Sequence, residues 1–153
     1  MTHISEERNI EAPPERIWAV IASTPRWMEF YRTHDNRGRL KKAEYLGKEA
    51  DEVGARRRMH FVPGLPWDEE CVRFDPPHRL EWRGVRTPGM KYYQTILELV
   101  PGSGFTTLRW DLYFELSGWS KVFVKKKVKR VLEDATLTAL LEIDRLSMKP
   151  PEP

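Results

Sequence analysis

The sequence predicts an α+β domain: an antiparallel meander, preceded by one strand and two short helices and closed by one long C-terminal helix. Three observations carry that reading. Trp119 to Leu146 runs without Pro or Gly. At about 100° per residue, Val124, Val128, Val131, Leu132, Ala135, Ala139, Ile143 and Leu146 fall in one arc, the apolar stripe of an amphipathic helix. From about Arg39 the apolar period changes to two, punctuated by turn signals at Gly47–Glu52, Pro63–Pro66, Asp75–His78, Thr87–Gly89 and Pro101–Gly104. Before the meander, Pro13-Pro14 and Thr24-Pro25 each open a short segment with an apolar side.

Taken in order, His3 to Glu11 is the first strand, its apolar face marked by Ile4 and Ile10. The first helix carries Ile17, Trp18, Val20 and Ile21, and the second, with Thr24 expected as N-cap, carries Trp27, Phe30 and Tyr31. Five or six strands follow, for a sheet of about seven. The clearest is Thr106 to Leu116, where Leu108, Trp110, Leu112, Phe114 and Leu116 alternate with polar residues. In the strand before it Tyr93, Thr95, Leu97 and Leu99 share a face, and Leu80 and Trp82 do so one strand earlier. The expected boundaries are a single domain over 1–148 and a disordered Pro-rich tail over 149–153.

Composition narrows the function classes. The chain has 153 residues, enough for one domain with a sizeable core, and no run of about 18 apolar residues that would span a bilayer. No signal peptide is visible at the N-terminus, and Cys71 is the single cysteine, so the expected location is cytoplasmic. A net charge of +3 argues against a dedicated nucleic-acid binder. His3, His34, His60 and His78 lack ligand spacing, and there is no H-E-x-x-H, C-x-x-C, P-loop or G-x-S-x-G. Neither a metal nor a cofactor is expected.

The opening I-x-A-P-P-E-R-I-W-A-V-I, carried by Ile10, Ala12, Pro13, Pro14, Glu15, Ile17 and Trp18, is followed by Trp27, Phe30 and Tyr31. With the element order, this resembles the helix-grip superfamily of Bet v 1-like proteins, START domains and bacterial polyketide cyclase/dehydrase and lipid transport proteins. The resemblance implies a curved antiparallel sheet wrapped round the C-terminal helix with a hydrophobic cavity between them. Around Trp67-Asp68 and through the last two strands the chain is also similar to polyketide aromatase/cyclases, with Leu65-Pro66 where those enzymes place a cavity arginine.

The candidate site follows from strand parity. Arg57 shares a face with Met59 and Phe61, which points it into the concave side, where a guanidinium could grip a carboxylate or enolate. A bulge, or a side chain snorkelling to the rim, is the other reading. If Val72 and Phe74 face inward, so do Asp68 and Glu70, making Glu70 a partner for Arg57, although Trp67 and Cys71 mark the opposite face and leave the parity ambiguous. Trp82, Tyr93, Thr95, Trp110 and Leu112 add aromatics and hydroxyls to the inner face, Val128 and Leu132 come from the helix, and Leu65 sits at one end.

Alternate turns of a meander lie at the same end. The turns at Pro63–Pro66 and Thr87–Gly89 therefore join Ser117-Gly118, gathering Leu65, Trp67, Met90, Trp119 and Phe123 beside Lys121, Lys125, Lys126, Lys127, Lys129 and Arg130. Cations there oppose the helix dipole, and an anionic membrane surface or acidic ligand would favour them. Leu137 and Leu141 face outward and offer a contact or homodimer patch. The expected function is binding, with transport as an extension, of a small hydrophobic or amphipathic molecule. The alternative is an aromatase/cyclase-type enzyme acting on a poly-β-ketone, with Arg57, Glu70 and Tyr93 as candidates to handle enolate and proton.

Overall fold

The computed structural model describes residues 1–31, 39–62, 64–118 and 121–148. Strand β1 (Thr2–Ile10) leads to helix α1 (Pro14–Ile21), a single 3-10 turn (Thr24–Arg26) and α2 (Trp27–Phe30). Six strands follow: β2 (Arg39–Leu46), β3 (Arg56–Val62), β4 (Trp67–Asp75), β5 (Arg79–Arg86), β6 (Met90–Pro101) and β7 (Thr106–Leu116). Helix α3 (Lys121–Ser147) closes the chain. The strands form one antiparallel sheet in the order β1-β7-β6-β5-β4-β3-β2, so β1 pairs with the last strand and the meander runs outward to β2. The expected α+β helix-grip architecture is the observed one. Pro63, Trp119 and the tail expected at 149–153 lie outside the described residues.

Local sequence accounts for the elements. Pro14 opens α1, where its missing N–H costs nothing, and Ile17, Val20 and Ile21 give the helix a buried side. Trp27 Nε1 donates to the Ile21 carbonyl at 2.8 Å and ties α2 to α1. Thr24 is not an N-cap. Its hydroxyl donates to Asp51 Oδ1 at 2.6 Å, and Ser23 occupies the cap position without a side-chain bond. In β7 the expected alternation holds, with Leu108, Trp110, Leu112 and Phe114 all buried.

The concave face of the sheet is covered in two halves. Trp27 and Phe30 pack edge-on against Trp110, with ring centroids 5.6 and 6.4 Å away, so the two short helices fill one half. From Leu132 onward, Ala135, Ala139, Leu140, Ile143 and Leu146 bury the C-terminal part of α3, whose packing runs to β1, β7, α1 and α2. Its first three turns are exposed except for the half-buried Val128. Leu137 and Leu141 are exposed as well. No described helix is long and apolar enough to cross a membrane.

Candidate functional site

Between the first turns of α3 and the far side of the sheet lies a cavity of about 640 Å³. The helix contributes Val124, Lys127, Val128, Val131, Leu132 and Ala135. Opposite them stand Phe61 of β3, Gly64 and Leu65 of the following turn, and Trp67 of β4. Pro88, Gly89 and Met90 of the β5–β6 turn complete the wall with Leu116 and Ser117 at the end of β7. The three ends that meander geometry brings together thus form the mouth. Gly89 has φ +83°, a left-handed conformation that suits glycine at this turn. Leu65 is 67% exposed, so the cavity is not sealed.

Its floor is Tyr31, which follows α2 directly and packs against Phe61 and Trp110 with ring centroids 5.4 and 6.0 Å away. Burial pushes the Tyr31 phenol well above its ordinary range, and nearby Glu69 adds to the effect. A hydrogen bond with Tyr93 and the Arg57 charge oppose it. Tyr93 is likewise raised, first by burial and then by Tyr31 and Glu69. Both phenols therefore stay neutral, and Tyr31 stands in a cavity wall that is mostly apolar apart from Lys127 and Ser117.

Behind that floor is a buried ion pair. Arg57, fully buried, lies between two indoles, with its guanidinium carbon 4.1 Å from the Trp27 ring and 3.7 Å from the Trp82 ring. Nη1 donates to Thr24 Oγ1 at 3.4 Å, and Nε stands 3.5 Å from Glu69 Oε1. The latter contact is electrostatic rather than a hydrogen bond, since Nε and Nη2 have no aligned acceptor among the described residues. Desolvation lowers the Arg57 pKa, and Glu69 resists that fall. Desolvation raises the Glu69 carboxyl, and Arg57 holds it back.

This corrects the expected partner. Glu70 is not on the inner face: it pairs with Arg56 at 3.3 Å, while Asp68 pairs with Arg58 at 2.7 Å. The cause is a register shift in β4 between Cys71 and Arg73. Phe74 does pack inward, edge-on to Trp18 at 5.2 Å, but the bulge reverses parity before it. Trp67, Glu69 and Cys71 thus share the inner face.

Of the residues singled out from the sequence, Phe61, Leu65, Val128 and Leu132 line the cavity. Arg57, Met59, Trp82, Tyr93, Thr95, Trp110 and Leu112 do point inward, but the structure places them in the core behind the wall. The Thr95 hydroxyl is already engaged, accepting a bond from Trp110 Nε1 at 2.6 Å. Tyr31 is the functional candidate that sequence reasoning missed, because it read only as an apolar contact of the second helix. Among the described residues no cluster of three or more His, Cys, Asp or Glu could hold a metal ion.

Comparisons with known proteins agree with this architecture. No curated protein matches the chain significantly. A Thermus thermophilus protein, TTHA0849, has a crystal structure similar at TM-score 0.73 and 18% identity, covering 96% of this chain and 97% of that one. XoxI of Bacillus cereus is similar at TM-score 0.72 and 12% identity, covering 97% of each chain. Truncated norcoclaurine synthase of Thalictrum flavum is similar at TM-score 0.68 and 22% identity, covering 98% and 95%. At these identities the likeness is one of fold. The sequence itself matches the family model for polyketide cyclase/dehydrase and lipid transport over residues 1–141, through every strand and most of the final helix, and the chain belongs to that family.

Proposed function

We propose that the protein binds one small, mostly apolar molecule whose hydrogen-bond-accepting oxygen sits against Tyr31, and that it works as a cytoplasmic carrier. The observation that carries this reading is a mostly apolar chamber of about 640 Å³ whose wall includes the buried, neutral Tyr31. That volume falls in the range of sites for drug-sized ligands, and a small number of placed polar groups is what orients a ligand in such sites. The second reading is a cyclase-type enzyme in which Tyr31, backed by Tyr93 and Glu69, protonates an enolate. The hydrogen-bonded Tyr31–Tyr93 pair beside Glu69 supplies the titratable groups for it, but burial and the Glu69 charge make the phenols weaker acids, which ranks it second.

Purified protein should bind an anilinonaphthalene dye saturably at one per chain with micromolar affinity, about −8 kcal/mol. Native mass spectrometry should find a co-purified small molecule. Absence of saturable dye binding overturns the proposal. The Tyr31 contact has its own test in two ligands of nearly equal shape, acetylnaphthalene and ethylnaphthalene. Tyr31→Phe should weaken acetylnaphthalene about two- to tenfold, as expected for one neutral hydrogen bond, and leave ethylnaphthalene unchanged. Equal effects on both would remove Tyr31 from the recognition of oxygen. Turnover of a poly-β-ketone analogue that is lost in Tyr31→Phe would favour the enzyme.

A further inference from the structure

The helix segment that walls the cavity also carries a charge pattern that the cavity does not need. Between Lys121 and Leu132 there are six cations and no carboxylate, and the next acidic residue is Glu133. Lys121, Lys125, Lys126, Lys127, Lys129 and Arg130 are all exposed. Lys127 also lines the cavity, and Lys129 reaches Glu133 at 3.7 Å. This arrangement works against the helix itself. Cations in the first turns oppose the macrodipole, and Lys121/Lys125, Lys125/Lys129 and Lys126/Arg130 are like-charged at i,i+4.

The same end is greasy. Val122 and Phe123, between the first lysines, are 74% and 78% exposed, and Leu65 stands across the mouth. Exposed aliphatic and aromatic side chains interleaved with cations give this helix start charge for anionic headgroups and apolar groups for the headgroup boundary of a bilayer. A purely polyanionic partner would match the charge but leave the apolar side chains unused. Val124 and Lys127 of these same turns line the cavity, so docking there would bring the bilayer to the cavity's end of the molecule.

We propose that this face, the first three turns of α3 with the Leu65 turn, docks on the surface of an anionic lipid bilayer. Docking adds to the ligand-binding reading without depending on it: dye binding is measured without vesicles, so each can fail alone.

The test is flotation of the full chain with phosphatidylcholine vesicles, with and without phosphatidylglycerol. Wild-type protein should partition at least about tenfold more strongly onto the anionic vesicles, and that binding should fall as salt rises. The variant Lys125→Glu/Lys126→Glu/Lys129→Glu, which leaves Lys127 and the cavity wall intact, should lose about 100-fold or more in affinity. Its helix should form about as well, since the reversal makes the 121/125 and 126/130 spacings attractive and offsets loss of the Lys129–Glu133 pair, and circular dichroism with dye titration checks this. Phe123→Ser should weaken anionic binding while keeping its salt dependence. Equal partition onto both vesicle types, or onto neither, overturns the proposal, as does undiminished binding by a folded triple variant. Preference for polyuridylate over anionic vesicles at the same salt would assign the cations to nucleic acid, and would overturn it too.

Discussion

Arg57→Met is expected to cost about 3–5 kcal/mol of folding stability at neutral pH, as breaking a buried pair does when one charge is left uncompensated. The carboxyl left behind is Glu69, 3% exposed, whose partner stands 3.5 Å away in the native protein. The sign of the pH dependence follows from the Glu69 shift. Its folded pKa is raised above the unfolded value, first by burial, and Arg57 is what holds it down. A carboxyl of this kind contributes stability below its unfolded pKa and loses it as pH rises through the folded one. Without Arg57 the folded pKa climbs further, so the variant binds a proton over a wider window. The deficit against wild type should therefore shrink as pH falls from neutral toward the unfolded carboxyl value of 4.5. Urea midpoints across that range measure it. The double variant Arg57→Met/Glu69→Leu removes both charges and should cost less than Arg57→Met alone, with the coupling read from a double-mutant cycle. Glu70→Gln, which touches only the half-exposed Arg56 pair, should stay within about 0.5 kcal/mol of wild type. An Arg57→Met deficit below about 1 kcal/mol at every pH would mean the pair is not buried as described.

That control separates what the sequence disclosed from what it hid. Inward placement of Arg57 was legible from its parity with Met59 and Phe61, because β3 has a regular ladder with β4 there. The identity of its partner was not, because a bulge after Cys71 shifts every earlier residue of β4 to the opposite face. Bulges leave little mark in a single sequence, and Phe74 packs inward on either reading. Likewise Trp82 and Trp110 were legible as inward, but inward is not the same as cavity-facing. Trp27 and Phe30 stand over Trp110, and Trp27 sandwiches Arg57 against Trp82, so the short helices own that half of the concave face. A periodicity argument assigns a side chain to a face and cannot say which of two covering elements lies above it. The mouth was the opposite case. Alternation of turns is a topological rule, so Leu65, Trp67 and Met90 were gathered at one end from the sequence alone, and all three stand on the cavity wall. In the sequence the apolar stripe of α3 is continuous. Physically it divides near Leu132, where packing on β1, β7 and the short helices begins and the space above the far strands ends.

The division near Leu132 makes opposite demands on neighbouring positions, and this yields the largest expected effect on binding. Val128 lines the cavity and is half-buried, one turn before the packed part of the helix. In Val128→Trp an indole would take up part of the cavity that a ligand would otherwise fill. If it denies the ligand about 100 Å² of apolar burial, at about 25 cal/mol per Å² the loss is about 2.5 kcal/mol, roughly 100-fold in dye affinity. Folding stability should hold, since the larger side chain enters an open cavity rather than overpacking a core. Leu112 is the counterpart. It is fully buried behind the wall, and Leu112→Ala should lose about 2–5 kcal/mol of stability while the folded fraction keeps wild-type dye affinity. Dye titration and urea melts on the two variants thus form a crossed pair: binding falls without stability in one, stability without binding in the other. If Val128→Trp lowers both together, the helix is packed along its whole length and there is no chamber beneath its first turns.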